Sequence, residues 1–473
     1  MKEHLRASAG VDLVLADARI QLDGRDSVEG WLAVKDGLVH SIGSASAPEA
    51  KRTVDCRGSW VLPGLVDIHV HFRDPGFTYK EDFLSGSLAA AHGGVTTVVD
   101  MPNTGGLVAG PKDLRQKLQH LKGRSHVDFG LYSLLVDSAP DVDELCELGV
   151  AGFKWLIGYP ELHGRPAQPS TRIGLRDALQ KAGEADVLVD VHAEDAGWIK
   201  ALTEHLVARG RSDPRAHGDS RPPFVEALAI AEAVILGSEV GCRIHIHHLS
   251  SKLGLDVITS LRQGIGSTVT TETGPQYLYL TEANLDVLGT RGKVNPPLRR
   301  QLDVDAMWAG ILSGDIQCIA SDHAPHSDQE KGGPSIWDTT SGLIGVETIF
   351  PMLFHEVVNG RLSAARFVEL TAEAPSKIVR LDHRKGTLLP GGDADIVIAD
   401  PSGHTSISSR GLHSKYPKTP FEGVDRDGAI RSVFLRGREI VGAARPAEDP
   451  LGSYVASQYA LTTARPAQAA SRA

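Results

Sequence analysis

Through its middle the chain alternates between short apolar runs and stretches of helical character, and nothing else restricts its fold as much. Eight apolar runs, at 62–71, 96–101, 127–135, 149–157, 187–192, 244–249, 267–271 and 316–321, are separated by segments such as 83–92 and 224–235 that read as helices. A strand that is apolar on both faces must be covered on both faces, and helical connections leave successive strands parallel. The pattern predicts an α/β fold, a (β/α)8 TIM-like barrel over residues 61–387. Strand-like segments flank it at both ends. Residues 11–15 and 31–34, with an Asp36-Gly37 turn signal, are matched near the other end by 393–400 and 430–437. Together they predict one small β-sandwich domain from residues 1–60 plus 388–445, leaving 446–473 as a tail that is mobile or laid on a neighbour.

In such a barrel, chemistry gathers at the carboxyl ends of the strands. The first run ends in His69 and His71, the fourth carries Lys154, the fifth ends in His192, the sixth in His247-His248, and the eighth in Asp322-His323. Residues two apart on a strand face the same way, so His69 and His71 form a pair. By the same parity His245 and His247 oppose Ile246 and His248; only one set faces a metal, and His248 is the choice, with His245 or His247 packed behind. Lys154 lies in an apolar run where an ammonium is costly to bury. It pairs with a buried acid, snorkels outward, or is carbamylated by carbon dioxide into an anionic ligand able to bridge two cations. Two divalent ions so bridged lie about 3.5–4 Å apart and share a hydroxide that is nucleophilic near neutral pH. Zinc suits imidazole and carboxylate donors best, with manganese, cobalt or iron as substitutes. Asp322 would bind one ion and shuttle the proton, unless its role is structural.

These motifs resemble those of the cyclic amidohydrolases, the dihydroorotases and allantoinases above all. The resemblance rests on Gly64-Leu65-Val66-Asp67-Ile68-His69-Val70-His71-Phe72-Arg73, Met101-Pro102-Asn103-Thr104, Phe153-Lys154, His192-Ala193-Glu194, His248-Leu249-Ser250-Ser251 and Ser321-Asp322-His323-Ala324-Pro325-His326. It implies His69, His71, Lys154 and Asp322 on one metal, and Lys154, His192 and His248 on the other. It further implies a substrate carboxylate held by Arg73, Asn103, Asn295 and His326, a set with the right donors for it. The competing role for Arg73 is a salt bridge to Asp74 or Glu81. Tyr159 is similar to the hydantoinase tyrosine that hydrogen-bonds a developing oxyanion, and Gln276 is also hydantoinase-like.

The function these readings predict is hydrolysis of the ring amide C–N bond of a small cyclic amide by a metal-bridging hydroxide. Dihydroorotate or a related carboxylated ring fits Arg73 best; allantoin, hydantoin and dihydropyrimidines are the alternatives. A catalytically inactive scaffold is the rival from another class, and the filled ligand set argues against it. Net charge is -10 with no basic stripe, which excludes nucleic acid as a general partner. No apolar run is long enough to span a membrane, and Met1-Lys2-Glu3-His4 leads into no signal-peptide core. The four cysteines, Cys56, Cys146, Cys242 and Cys318, are widely spaced, as suits a reducing cytoplasm. The resemblance implies a homodimer or homotetramer.

Overall fold

The computed structural model describes residues 10–24, 26–137, 141–159, 161–442 and 449–458. The first nine residues and 459–473 of the expected tail lie outside the described residues. Eight parallel strands close into a barrel: Leu65–Val70, Val95–Asp100, Asp128–Leu131 continued by Ser133–Leu134, Phe153–Ile157, Leu188–Ala193, Arg243–Ile246, Thr270–Thr273 and Cys318–Ile319. Closure comes from a parallel bridge between Val70 and His323, where the His71 N–H donates to the His323 carbonyl at 2.8 Å. Every residue of the first, second, fourth and fifth strands is buried, which is why these runs are apolar without alternation.

The helices between them start where a short polar side chain caps the free N–H groups. Asp82, Thr171, Asp195 and Ser251 each accept a hydrogen bond from the backbone N–H three residues on. The helices expected at 83–92 and 224–235 are Phe83–His92 and Pro223–Glu239.

Two expected strands divide. The run at 62–71 breaks at Gly64. Its first part, Trp60–Pro63, pairs antiparallel with Ile396–Ser406 in the other sheet. The chain crosses between sheets hard against Thr96; a Cβ on Gly64 would fall 2.1 Å from the Thr96 hydroxyl oxygen. The run at 127–135 breaks at Tyr132, so its two halves bond different neighbours.

The second sheet draws on both ends of the chain. Its order is Arg438–Val441, Asp425–Leu435, Ile396–Ser406, Trp60–Pro63, Val11–Ile20, Val28–Lys35, Leu38–Gly43, with Ala50–Asp55 beside the first half of Val11–Ile20. The last strand of this order returns to the start of Ile396–Ser406: Leu38 bridges Asp393, and the Ala394 N–H donates to the Gly37 carbonyl at 2.9 Å. The sheet therefore folds over one core that includes Leu13, Ile20, Val34, Val39, Ile396 and Phe434, as a sandwich does. The expected Asp36-Gly37 turn joins Val28–Lys35 to Leu38–Gly43, with φ positive at both residues.

Residues 449–458 correct one expectation about the tail, for they lie on their own barrel. The Ser453 N–H donates to Asp128 at 2.8 Å, Tyr454 bridges Phe129, and Arg436 donates to the Leu451 carbonyl at 2.5 Å. Among the described residues no helix is long and apolar enough to cross a membrane, and all four cysteines are free and buried.

Candidate metal centre

His69 and His71 leave the first barrel strand pointing at Asp322, just past the eighth. Nε2 of each imidazole lies 3.4 Å from the same carboxylate oxygen, Asp322 Oδ1. Their other ring nitrogens are already committed. His69 Nδ1 faces Glu272 Oε1 at 2.5 Å, and His71 Nδ1 faces Asn103 Oδ1 at 2.8 Å. Those oxygens accept, so each Nδ1 carries the hydrogen and each Nε2 a lone pair. Burial pushes the pKa of both rings down, keeping them neutral. Two lone pairs and a carboxylate oxygen facing one another repel unless a cation lies between them.

Across the mouth, His192 Nδ1 and His248 Nε2 are 2.8 Å apart, and His248 Nδ1 is buried with no hydrogen-bond partner. Lys154 is buried in the fourth strand with its Nζ on His247 Nδ1. Burial pulls its pKa down to about 8, despite Asp190, Glu272 and Asp322 nearby. Asp322 is pushed up by its burial, with His69 and Lys154 pulling the other way.

The parity argument at 245–248 needs correction. The sixth strand ends at Ile246, and His248 adopts left-handed backbone with φ 36°. Alternation stops there, so neighbouring residues both turn inward. His248 lines the cavity, while His247 sits below it, its ring 4.1 Å from that of His69 and its Nε2 2.9 Å from Asp190 Oδ1. Asp322 and Arg73 also have left-handed backbone, φ 49° and 63°. Such conformations cost of order 1–3 kcal/mol each and persist where surrounding structure fixes them.

All eleven side chains expected at the site line one cavity of about 410 Å³: His69, His71, Arg73, Asn103, Lys154, Tyr159, His192, His248, Asn295, Asp322 and His326. Phe77, Leu162 and His163 form part of its wall. Arg73 makes neither of the salt bridges considered for it. Asp74 is taken by His120 and Arg124, and Glu81 lies against Ser85 and His323. The Arg73 Nε–H donates to the Pro325 carbonyl at 3.3 Å, and no carboxylate pairs with the guanidinium among the described residues. Tyr159 accepts a hydrogen bond from Asn295 Nδ2 at 2.6 Å.

A family model described as the amidohydrolase family matches residues 60–440. The chain belongs to the amidohydrolase family. An allantoinase of Rubrobacter xylanophilus is 32% identical over 94% of this amidohydrolase and 98% of the relative. A dihydroorotase of Halobacterium salinarum is 38% identical over 87% of this chain and 91% of its own. Among solved structures, the L-hydantoinase (dihydropyrimidinase) from Arthrobacter aurescens superposes with a TM-score of 0.90 at 32% identity, covering 94% of this chain and 100% of that one. The kinship with cyclic amidohydrolases expected from the motifs holds along nearly the whole chain, and so does the barrel with its small β domain.

The donors of this amidohydrolase fit divalent cations, by the facing lone pairs of His69 and His71 beside the Asp322 carboxylate. Sequence reasoning left out the residues that aim these donors. Glu272, 1% exposed, takes His69 Nδ1 and also His245 Nε2 at 3.3 Å. Glu194 takes His192 Nε2 at 3.0 Å and is held by Arg221 at 2.5 Å, which pulls its pKa down to about 2. Glu194 is two residues beyond His192, a spacing the sequence displays; Glu272 carries no local signal, being 203 residues from His69.

Proposed function

We propose that the protein hydrolyses the ring amide C–N bond of a small cyclic amide bearing a carboxylate, dihydroorotate or a close analogue. The observation that carries this reading is Arg73, a buried guanidinium in the cavity wall with no acid of its own. Its Nη2 lies 3.3 Å from His326 Nε2, which faces the Ser341 carbonyl at 3.0 Å and so carries a hydrogen. With that hydrogen given to Ser341, His326 offers Arg73 Nη2 no acceptor, and a substrate carboxylate oxygen would supply one. Asn103 lines the same cavity, its Oδ1 on His71 and its amide hydrogens left for a substrate.

The protein's own groups supply the rest. Asn295 donates to the Tyr159 oxygen, which leaves the phenolic hydrogen free for the carbonyl oxygen of a bound ring as charge develops on it. Burial pushes the Tyr159 pKa up, so that hydrogen stays on. Asp322 takes the proton released as water adds to the carbonyl carbon, then passes it to the ring nitrogen when the C–N bond breaks. Divalent cations held by His69, His71, Lys154, His192, His248 and Asp322, with zinc the best match, would polarise the carbonyl and acidify water towards a pKa of about 7. Lys154 serves there as a carbamate, which removes a buried positive charge and adds two oxygen donors. The holoenzyme is read as a cytoplasmic homodimer or homotetramer.

Tyr159 and the hydantoinase likeness favour a second reading, a neutral hydantoin or allantoin as substrate. Parallel kinetics on dihydroorotate, allantoin and hydantoin, with metal and bicarbonate supplied, separate the two. Dihydroorotate is expected to give the highest kcat/KM. Arg73→Ala should raise its KM by about 10- to 100-fold, the loss of a charge-assisted contact, and leave hydantoin unaffected. Equal kcat/KM for neutral and carboxylated rings would discard the carboxylate reading.

A further inference from the structure

Two lysines beside the cavity are enclosed by carbonyls rather than acids. Lys331 ends the short helix Asp328–Lys331, and its ammonium donates to the carbonyls of Lys293, Thr340 and Gly342 at 2.8, 3.1 and 2.9 Å. Lys293 Nζ donates to the carbonyls of Ile336 and Thr339, both at 2.6 Å. An ammonium has three hydrogens and no acceptor, so Lys331 is fully satisfied by backbone alone. Neither lysine forms an ion pair among the described residues. A cation kept in such surroundings is costly, and burial together with Lys293 pulls the Lys331 pKa down to about 7.

What these contacts hold is the cavity wall. Thr340, Ser341 and Gly342 all line it. Lys331 takes the carbonyls on either side of Ser341, and Lys293 takes the one before them, at Thr339. The Ser341 carbonyl is left turned towards His326 Nε2. That bond sets which ring nitrogen carries hydrogen, and it leaves His326 Nδ1 to accept from Lys80 Nζ at 3.3 Å. Lys80 in turn pairs at 2.6 Å with Glu330, the neighbour of Lys331 on the same short helix.

We infer that Lys331 is a positioning residue: by clamping the backbone on both sides of Ser341 it fixes the tautomer and place of His326 at the anion-binding end of the cavity. The inference rests on the proposed carboxylated substrate. Lys331 itself touches neither the reacting atoms nor the metal donors.

The test uses the full-length, metal-loaded protein with Lys331→Met and Lys331→Arg. Lys331→Met is expected to raise KM for dihydroorotate about tenfold, because the wall that holds His326 beside Arg73 is loosened and the contact to the carboxylate weakens. Its kcat should stay within about twofold and bound metal per chain should not change, because Lys331 holds only backbone carbonyls and none of the metal donors. Amide hydrogen exchange at Thr340 and Gly342 should quicken in Lys331→Met, and Lys331→Arg should restore part of both effects. Unchanged KM with unchanged exchange would overturn the inference, as would a loss of kcat and metal together at constant KM. If Lys331→Met does not fold, Lys331→Arg alone decides, since a fork in place of three rotatable donors should still loosen exchange at these two amides. Absence of turnover on any cyclic amide by the unmodified protein would instead sink the proposed function, and the exchange measurement would still judge Lys331.

Discussion

His69, His71 and His192 each have one ring nitrogen tied to an oxygen behind it, so what lies behind the ring controls what the other nitrogen can do. Glu272 is the clearest case, since it accepts from His69 while taking His245 with its second oxygen. Glu272→Gln should weaken metal binding by about 10- to 100-fold, the usual cost of losing an orienting partner. Competition with a chelator measures it, and an unchanged affinity would mean that His69 needs no such support. Tyr159 acts on the substrate side instead. Tyr159→Phe should lower kcat by about 10²- to 10³-fold with bound metal unchanged, as for other lost oxyanion donors. Steady-state kinetics alongside metal analysis would show whether the two properties separate in this way.

Elements decide which side chains reach the mouth. The sixth and eighth strands are short, ending at Ile246 and Ile319, and their site residues lie on the turns just beyond. Left-handed backbone at His248 and Asp322 then aims side chains that strand alternation alone would have sent elsewhere. Among the surrounding helices Ala196–Ala208 is unusual, for it buries none of its residues fully and exposes Trp198 and Val207. With little packing to hold it, its Asp195 cap matters more. Asp195→Ala should cost roughly 1 kcal/mol, felt first as faster amide exchange in the first turn of that helix. Exchange identical to that of the unmodified protein would show that flanking contacts, not the cap, hold the helix.

At the level of the whole molecule, one buried cation joins barrel, sandwich and tail. Lys385 is fully buried, 2.5 Å from Asp128 on the third barrel strand and 2.7 Å from both Asp393 and Asp395 at the entry to Ile396–Ser406. Arg436 reaches the same Asp128, and so does Ser453 of the returning tail. Lys385→Met would leave three carboxylates without their central charge. A loss of about 3–5 kcal/mol is expected, as when one partner of a buried ion pair is removed. Denaturant unfolding measures it, and a loss below about 1 kcal/mol would mean that Arg436 and water compensate.

Much of this molecule was legible in the chain. Apolar runs spaced by helices can be covered on both faces in few ways, so the barrel followed from period and length. Histidines, a lysine and an aspartate at run ends marked the mouth, because strand ends are where such a barrel exposes polar groups. Only the tertiary structure decided the rest. It divided the run at 62–71 between two sheets at Gly64, because barrel and sandwich compete for one apolar stretch and only a residue without a side chain passes Thr96. Both His247 and His248 turned inward, because the strand stops one residue before the first of them. Glu272 came to His69, and Arg73 was left without an acid, through barrel closure between segments far apart in the chain. Local sequence fixes period and residue type; the backbone angle at a strand end and the choice of a distant partner are set by packing the whole.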